Sequence, residues 1–515
     1  MLITVVYALS YASAMGLLLV WRLSQFLTTQ AREHIFSTFA KWLLFTVVLP
    51  RMNGSSDITT MAGSIIILFI VANVVGCVLL VQSQSELSTR LARMCVTNLV
   101  VLFLGGRSNL LVDKIFRLSN AEYHLLHRWV GRVAVIEGLA HATISITKTR
   151  VATPALDISL YAILGIIALF SVIYIRRRMY ELFLRTHFLG SVAFLILLWF
   201  HIRQPDTHLF TCLVASATLL LTQKLSCLLF FLYRNLSSGP SCQASIVRFP
   251  QSGSGEEVLQ VRLNVKRPWT VVPGQYVYIS LPALRIFYLG FLESHPFMVA
   301  WPIYDDRGQL ESIVLLVQTC RGFTRRLQMS KTTSSAFIDG PYGGVETESL
   351  GGYDKVLLMS CGIGLASHLG TARHLLLAHN RQTARIRRLT LVWLLESQEQ
   401  MRWAEDFLCA LDDMDSRQIL TVFLFYPDHI EGSSEGRATK FQAPRKRMLS
   451  LSGKLDMSWF IESEWGAEAG NMLLAVCGSP RFELRARQAV RSSTHHIDFR
   501  NSMFLPDESQ IDMVR

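Results

Sequence analysis

A series of long apolar segments that are uncharged or nearly uncharged precedes residue 235. An α-helix needs about 20 mostly apolar residues to cross the hydrocarbon core of a bilayer, and all of these segments except the third are roughly that long. We therefore predict seven membrane helices. They lie at about 1–21, 61–81, 94–106, 129–147, 158–175, 186–202 and 207–233.

The composition agrees with a membrane protein that also carries soluble parts. Of the 515 residues, 51% are hydrophobic and only 17% are charged, which is too apolar for an ordinary soluble protein. Segment 1–21 resembles a cleaved signal peptide in length, but no positive residue precedes its apolar run, so we predict a helix. The nine cysteines contain no C-x-x-C pair, which argues against a disulfide framework and a zinc site.

The distribution of positive charge indicates the orientation. Lysine and arginine accumulate in cytoplasmic loops, and the loops at 22–60, 107–128 and 176–185 are richer in them than the loops between. The N-terminus is therefore expected outside, and everything after Arg234 in the cytosol. The formal net charge of +12 is concentrated in these loops and in surface runs such as 381–388, so we predict no nucleic-acid partner.

Two of the apolar segments hold histidines fourteen residues apart. HRWVGRVAVIEGLAH runs from His127 to His141, and HFLGSVAFLILLWFH runs from His187 to His201. Fourteen helical residues advance about 21 Å and turn about 1400°, which is within about 40° of four full turns. Both histidines of a segment therefore lie on nearly the same face. Since one span separates the two helices, they run in the same direction, and their first and second histidines are level.

Four imidazoles at two levels suggest two bis-histidine sites. A haem between two imidazoles fits this arrangement, because polar residues inside a bilayer usually face the bundle interior for a functional reason. The alternative is four interfacial or hydrogen-bonded histidines without a ligand, and zinc would more naturally use histidines four residues apart. Arg132 and Arg203 are candidates for contacts with haem propionates, with plain snorkelling as the alternative for Arg203. Glu137 lies inside a helix and needs a partner or a proton.

After a Ser/Gly/Pro-rich join at 237–241, the pattern changes to short strands. The segments SIVRF, VLQVRLNV, YVYISL, MVAW and SIVLLVQ, separated by proline and glycine, predict a small antiparallel barrel. From about 354, DKVLLMS, CGIG, an apolar helical stretch and LTLVWLL predict a βαβ unit whose helix N-terminus suits a phosphate. The polar stretch at 428–470 predicts a flexible insertion.

Motifs in both soluble parts resemble those of the ferredoxin-NADP reductase superfamily. Four are similar to its flavin-binding half: PGQYVYISLP (273–282), HPFMVAWP (295–302), GFTRRL (322–327) and IDGPYG (338–343). Two are similar to its nucleotide half: CGIG (361–364) and CGSP (477–480). In the apolar part, HRWVGR and the repeated His-x13-His spacing resemble the fungal transmembrane ferric reductases, which are relatives of the NADPH oxidases.

This resemblance implies a multidomain fold. An α-helical transmembrane bundle is followed by a ferredoxin-NADP reductase-like module, made of an antiparallel β-barrel FAD domain and an α/β nucleotide-binding domain. We expect an N-terminal helix and cytosolic loop at 1–60, a six-helix haem-binding domain at 61–235, the FAD domain at 242–348 and the NAD(P)H domain at 352–515.

The resemblance also implies cofactors and the residues that hold them. The cofactors are FAD, two haems b and NADPH, with NADH as the alternative. The implied haem ligands are His127, His141, His187 and His201. The implied flavin lining is His295, Pro296, Phe297, Met298, Val299 and Ala300, and the implied nucleotide site is Gly362, Ile363, Gly364, Cys477 and Gly478.

Three positions depart from the family pattern. Where the family commonly has an arginine suited to the extra phosphate of NADP, this chain has Glu396. A carboxylate repels a 2′-phosphate but accepts hydrogen bonds from the ribose hydroxyls of NAD. Arg402 is the alternative partner for that phosphate. Met298 replaces a frequent serine or threonine that can bond the flavin. Phe504 is the candidate for the aromatic residue that covers the flavin in the family, although eleven residues follow it.

The implied function is that of a transmembrane metalloreductase, an NAD(P)H-dependent ferric-chelate reductase. Electrons would pass from cytosolic NAD(P)H through FAD and the two haems to ferric or cupric chelates outside the cytosol, and no catalytic acid or base is expected. The implied location is the plasma membrane, with the vacuolar membrane as the alternative, and the implied partner is a ferroxidase/permease uptake system. Two other functions stay open: superoxide production by an NADPH oxidase, and a non-catalytic membrane scaffold.

Overall fold

The chain forms two compact units whose main boundary lies between Leu228 and Leu229. The first is largely helical and the second contains two large sheets. The predicted helix at 1–21 lies, apart from residue 15, outside the described residues. The computed structural model describes residues 15, 45–49, 58–106, 112, 115, 116, 118, 120–148, 154–202, 206–236, 241–249, 257–284, 293–320, 322–345, 347–426, 447–467, 469–502 and 504.

In the described part of the first unit, a short antiparallel pair of strands, β1 (Val47–Leu49) and β2 (Ile58–Thr59), precedes the helices. Each of the six apolar segments predicted after residue 60 coincides largely with a helix. The helices are α1 (Thr60–Val78), α2 (Gln84–Leu102), α3 (Asn120–Lys148), α4 (Ala155–Phe170), α5 (Ile173–Arg178), α6 (Tyr180–His201) and α7 (Thr207–Asn235).

Length and composition distinguish these helices from one another. Helix α1, residues Leu182–His201 of α6, and α7 are long and apolar enough to cross a membrane. The predicted span at 94–106 covers only the second half of α2, because α2 begins with a polar stretch. Its start is fixed by the hydroxyl of Ser83, which accepts a hydrogen bond from the backbone N–H of Glu86 (3.2 Å) as an N-cap.

The second unit begins with the predicted barrel, a seven-stranded antiparallel sheet in the order β8-β3-β4-β7-β6-β5-β9. The two edge strands, β8 and β9, are separated in the chain by Ala336 alone, so a single residue joins the two ends of the sheet. A short helix, α8 (Phe323–Gln328), precedes β8. The strands are β3 (Gln243–Phe249), β4 (Val258–Asn264), β5 (Gln275–Ser280), β6 (His295–Tyr304), β7 (Leu310–Gln318), β8 (Thr333–Ser335) and β9 (Phe337–Gly343).

The remainder of the second unit is a parallel sheet with helices, which confirms the predicted α/β nucleotide-binding domain. Its strand order is β13-β12-β11-β10-β14-β15. The strands are β10 (Lys355–Cys361), β11 (Arg388–Leu394), β12 (Leu420–Tyr426), β13 (Met448–Ser452), β14 (Met472–Cys477) and β15 (Ile497–Asn501). The helices are α9 (Thr347–Gly351), α10 (Leu365–Asn380), α11 (Met401–Met414), α12 (Met457–Ala467) and α13 (Pro480–Ser492).

The prediction of a flexible insertion at 428–470 is wrong for its second half. Residues 448–452 form β13, which pairs in parallel with β12, and residues 457–467 form α12. Met448 and Ser450 of this strand are buried whereas Leu449 is exposed, and Phe460 and Ile461 bury one side of the helix in the apolar core under the sheet. Residues 427–446 lie outside the described residues.

One apolar cluster joins the barrel to the nucleotide-binding domain. Ala300 and Trp301 of β6 lie in it together with Leu369 and Leu376 of α10. The guanidinium of Arg373, also on α10, lies 5.6 Å from the centre of the Trp301 ring. The two domains of the second unit therefore share a buried core.

Candidate functional site

The four predicted haem ligands face each other in two pairs between α3 and α6. The ring centroids of His127 and His187 are 6.2 Å apart, and those of His141 and His201 are 6.4 Å apart. This pairing agrees with the one predicted from the spacing, and it requires the two helices to run in the same direction. A metal–nitrogen bond of about 2 Å, plus about 1 Å from the nitrogen to the ring centre, places two imidazoles on one metal ion roughly 6 Å apart. Both pairs fit that separation.

Hydrogen bonds hold both histidines of the second pair at Nδ1. The Nδ1 atom of His201 lies 2.8 Å from Oδ1 of Asp157. The Nδ1 atom of His141 lies 2.8 Å from the backbone carbonyl oxygen of Ser88 and 2.9 Å from the Ser88 hydroxyl. A metal-bound imidazole usually donates its second ring N–H to an acceptor of this kind, which leaves the other nitrogen for the metal. The second pair therefore has the arrangement that a haem iron needs.

The first pair is held more loosely. The Nδ1 atom of His187 lies 3.3 Å from the hydroxyl of Ser171. The Nδ1 atom of His127 is buried and has no hydrogen-bond partner of normal geometry among the described residues. The two pairs are thus alike in ring separation and different in the groups behind the rings.

The predicted propionate contacts concern two arginines. Arg132 is exposed, and its guanidinium lies 4.6 Å from the centre of the Trp129 ring. Arg203 lies outside the described residues. A contact between either arginine and a haem propionate stays a prediction.

Glu137, for which the sequence indicated no partner, is buried in a polar cluster. The amide of Asn98 donates to Oε2 of Glu137 (2.9 Å) and also lies 3.0 Å from Oδ1 of Asn73. The Cys77 thiol lies 3.9 Å from Oε1 of Glu137. Since polar groups inside a bilayer are costly unless paired, this cluster explains how α3 carries a carboxyl group between its two histidines.

The predicted flavin residues, 295–300, lie in the first part of β6, and their side chains have different surroundings. Phe297 has no exposed surface and packs with Val299 inside the barrel, whereas Ala300 lies in the cluster shared with the nucleotide-binding domain. The His295 ring is half-buried, 4.4 Å from the ring centre of Phe323. Successive side chains of a strand point to opposite faces, so one flavin surface cannot be lined by all six residues. Their contact with FAD stays a prediction.

Beside this strand lies an aromatic surface of three tyrosines. Pro296 and Met298 pair with Tyr278 and Tyr276 across β5 and β6. The rings of Tyr276, Tyr278 and Tyr342 have centroids 5.9 to 6.0 Å apart, and the Tyr342 hydroxyl donates to Asp339. These tyrosines belong to the motifs that resemble the flavin-binding half, and they are candidates for contact with a flat ring system.

A cavity of about 1030 Å³ lies beside α8. It is lined by residues 282–284, by Gly322 and parts of α8, and by residues 329–331 and 333–335. Three cationic side chains are among its lining: Arg325, Arg326 and Lys331. Arg326 is paired with Glu293 at 2.7 Å, whereas Arg325 is exposed. The excess of positive charge suits an anionic ligand such as a diphosphate.

The predicted nucleotide site lies where the order of the parallel strands reverses, between β10 and β14. In open α/β sheets, ligands bind outside the carboxyl ends of the strands at this point. Residues 362–364 form a turn there, directly against the end of β14. A Cβ atom at Gly364 would lie 2.5 Å from the carbonyl oxygen of Cys477, and one at Gly478 would lie 2.8 Å from Cβ of Cys361. The two predicted motifs therefore meet, and both need glycine for close backbone approach.

Glu396 lies over this turn. Gly362 has a φ of +54°, and a Cβ atom there would lie 2.7 Å from Oε2 of Glu396. Gln400 holds the glutamate, since its amide donates to Oε2 (3.2 Å) and its oxygen accepts the Glu396 backbone N–H (3.0 Å). Arg402, the alternative partner for a 2′-phosphate, is exposed on α11. A carboxylate is thus positioned where the family commonly has an arginine.

Cys477 and Phe504 are both buried in the apolar cluster that joins the barrel to the nucleotide-binding domain. Ile363 of the glycine turn belongs to the same cluster. That Phe504 covers the flavin stays a prediction, and residues 505–515 lie outside the described residues.

The partners of the paired histidines were not identified from the sequence. Asp157 carried a weak signal, since it is an acidic residue at the border of the apolar segment at 158–175, close to the level of His201. Ser88 and Ser171 carried none, because a serine in a helix most often bonds its own backbone.

Three family models match the chain in order along its length. "Ferric reductase like transmembrane component" matches residues 91–198, "FAD-binding domain" matches 244–346, and "Ferric reductase NAD binding domain" matches 353–491. These matches cover α3, most of α6, the barrel and most of the nucleotide-binding domain.

Curated relatives include three fungal proteins. Ferric reductase transmembrane component 3 of Saccharomyces cerevisiae is 27% identical over 53% of this chain, and ferric/cupric reductase transmembrane component 2 of the same yeast is 26% identical over 53%. A probable cell surface ferric reductase of Aspergillus oryzae is 25% identical over 60% of this chain and 43% of its own length. The matched region spans 38% of the length of each yeast relative.

The order of the three matches is the order of the domains in the structure. The transmembrane match contains His127, His141 and His187. The FAD-binding match contains β6, and the NAD-binding match contains the glycine turn at 362–364. Along its length the chain therefore carries a ferric reductase-like transmembrane domain, an FAD-binding domain and a ferric reductase NAD-binding domain.

Proposed function

We propose that this protein is a transmembrane metalloreductase with NAD(P)H as the electron donor, FAD and two haems as carriers, and ferric or cupric chelates as acceptors. The observation that carries the proposal is the pair of facing imidazole sites at two levels of α3 and α6, with centroids 6.2 and 6.4 Å apart. Two such levels on parallel helices suit electron transfer across a bilayer. The names of the relatives support iron and copper as the metals.

Each group of residues has a distinct part in this proposal. His127 and His187 hold the inner haem, and His141 and His201 hold the outer haem. Strand β6 and the three tyrosines beside it orient the flavin. The cationic side chains of the cavity beside α8 hold its diphosphate. The glycine turn admits the nucleotide backbone. When bound, these cofactors supply hydride acceptance at the flavin and one-electron transfer at the haems.

The location of the protein is part of the proposal. Three helices of the described residues are long and apolar enough to span a membrane. The excess of lysine and arginine in alternate loops supports a cytosolic location for the second unit. We propose the plasma membrane, because the Aspergillus relative is named a cell surface protein. A ferroxidase/permease partner stays a prediction.

The haem content of the purified full chain tests the proposal. We expect two haems per chain, each with the absorption spectrum of a haem bound by two histidines. Four single variants should each lose one haem: His127→Ala, His141→Ala, His187→Ala and His201→Ala. His124→Ala is the matched control, since His124 lies on the same helix outside both pairs, and it should keep both haems. Normal haem content in all four pair variants contradicts the proposal.

The acceptor requires a second measurement. With NADH or NADPH as donor, ferrous iron trapped by ferrozine from a ferric chelate should account for the electrons delivered. Superoxide formed at the same rate, with no ferrous iron, would instead identify an oxidase. Absence of haem in the wild-type chain would favour the non-catalytic scaffold.

A further inference from the structure

The two histidine pairs differ in the charge of the group behind one ring. In the second pair, the Nδ1 atom of His201 lies 2.8 Å from a carboxylate oxygen of Asp157. The other three histidines have only neutral groups or none at Nδ1 among the described residues. At Ser171 the hydroxyl hydrogen is already donated to the carbonyl of Ile167 (2.7 Å), so that oxygen can only accept from His187. Among the residues that the structure describes, Asp157 is therefore the one anionic acceptor behind the four rings.

We infer that Asp157 is a positioning residue that lowers the midpoint potential of the outer haem. The inference rests on the proposed function, because it assumes that His141 and His201 hold a haem. It concerns a residue that neither the sequence motifs nor the family resemblance identified.

The local structure supports a lasting contact. Asp157 lies in the first turn of α4, and His201 is the last residue of α6. A helix N-terminus favours a negative charge, and both side chains are about three-quarters shielded from solvent, with exposed fractions of 21% and 25%. The carboxylate thus reaches the ring from a neighbouring helix with little competition from water.

The electronic effect follows from the direction of the hydrogen bond. An Nδ1–H that donates to a carboxylate gives the imidazole partial imidazolate character, which raises its basicity as a metal ligand. A more basic axial ligand stabilises the oxidised iron more than the reduced iron, so the potential falls. The hydroxyl of Ser171, at 3.3 Å, is a weaker and neutral acceptor for His187. Of these two hydrogen bonds, the one from His201 to Asp157 therefore has the larger effect on the potential, and removing Asp157 would abolish it.

The functional consequence concerns the last step of the proposed path. Free energy of electron transfer is proportional to the difference in potential, so a lower potential makes the outer site a stronger reductant toward its acceptor. The contact also fixes the ring of His201 at the end of its helix, where a terminal residue would otherwise be free to rotate. Asp157 thus acts on the site without contacting the acceptor.

Redox titration of the purified full chain, followed by haem absorbance, tests this inference. Asp157→Asn should raise one of the two midpoint potentials, leave the other unchanged and alter one of the two low-spin ferric signals in the electron paramagnetic resonance spectrum. Asp157→Glu should restore most of the shift. Asp206→Asn is the control, because the Asp206 carboxylate pairs with Arg93 at 2.7 Å, and it should leave both potentials unchanged.

The His201→Ala chain assigns the shifted transition. It should keep only the inner haem, and adding Asp157→Asn to it should not change the remaining potential. Selective loss of one haem in Asp157→Asn would also support a role at His201. The inference is overturned if Asp157→Asn binds two haems with both potentials unchanged, if both shift equally, or if both haems are lost. A wild-type chain without haem contradicts the proposed function itself and is therefore a separate result.

Discussion

The helical unit and the sheet-containing unit place their large apolar side chains in opposite ways. On the helices, residues such as Leu68 and Leu189 are 69% and 65% exposed, whereas in the second unit Leu315, Trp393 and Leu408 have no exposed surface. Hydrocarbon is as apolar as a leucine side chain, so burying leucine among helices gains little in a bilayer. In water the same burial contributes about 25 cal/mol per Å². The two units are therefore built for two solvents.

The predicted sites of the two units also differ in the groups from which they are built. In the helical unit, the proposed haem sites consist of side chains at a helical spacing, and the backbone is satisfied within each helix. In the second unit, the predicted nucleotide site consists of backbone groups that glycine allows to approach within contact distance. We expect substitutions to act differently in the two units, and four experiments test this difference.

A buried histidine of the second unit should affect the stability of the chain most strongly. His368 on α10 is fully buried, and its Nε2 atom lies 3.0 Å from the carbonyl oxygen of Met359. Unlike the four paired histidines of the helical unit, it faces no second histidine ring among the described residues. Burial lowers the pKa of His368 from 6.5 to about 4. We therefore interpret His368 as a structural residue whose side chain is neutral in the folded protein.

The pH dependence of stability follows from that shift. Because the folded-state pKa is below the unfolded value, the unfolded chain binds the proton first, and stability is complete above pH 6.5 and falls as the pH decreases toward 4. The loss over that window is about 3 kcal/mol. Thermal unfolding of the full chain should show a steeper decrease of Tm from pH 7 to pH 5 for the wild type than for His368→Leu. Equal slopes would contradict this assignment.

The next effect tests the glycine turn. Gly364→Ala places a methyl group 2.5 Å from a backbone oxygen of β14, which cannot rotate away. Forcing such a contact costs about 1–3 kcal/mol, or roughly a 5- to 150-fold loss of affinity for NAD(P)H. Stopped-flow reduction of the flavin measures it. Haem content should not change, and Gly466→Ala, with nothing within 4 Å of its new methyl group, should bind nucleotide normally.

These examples also show what the sequence could predict. The periodicity of apolar residues and the His-x13-His spacing predicted the helices and the pairing of His127 with His187, because both depend on local geometry. The partners Asp157 and Ser88 come from other helices, and no local pattern encodes which helices pack together. The strand β13 was missed for a similar reason, since a short strand is stabilised by its pairing with a neighbour rather than by its own sequence.

A smaller effect is expected at Glu396, where a side chain determines specificity in a site otherwise built from backbone. Its carboxylate lies beside Gly362 and is held by Gln400. Since a carboxylate repels a 2′-phosphate, the wild type should have a lower KM for NADH than for NADPH. Glu396→Arg should shift the ratio of kcat/KM toward NADPH by roughly tenfold, which is about 1.4 kcal/mol. A wild type that prefers NADPH, with no change in Glu396→Arg, would contradict this role.

The smallest effect is expected for a glycine of the helical unit, and it tests the comparison most directly. A Cβ atom at Gly138 on α3 would lie 2.7 Å from Cδ2 of Leu164 and 3.3 Å from Sγ of Cys95, a distance as short as those at the glycine turn. Both neighbours are ends of side chains, which can rotate, and alanine is favoured over glycine within a helix by about 1 kcal/mol. Gly138→Ala should therefore change Tm little and keep both haems, although Gly138 precedes His141 by less than one helical turn. If Gly138→Ala lost the outer haem as completely as Gly364→Ala loses nucleotide, the helical unit would be as rigid around its site as the sheet, and the difference between the units would lie in their solvents alone.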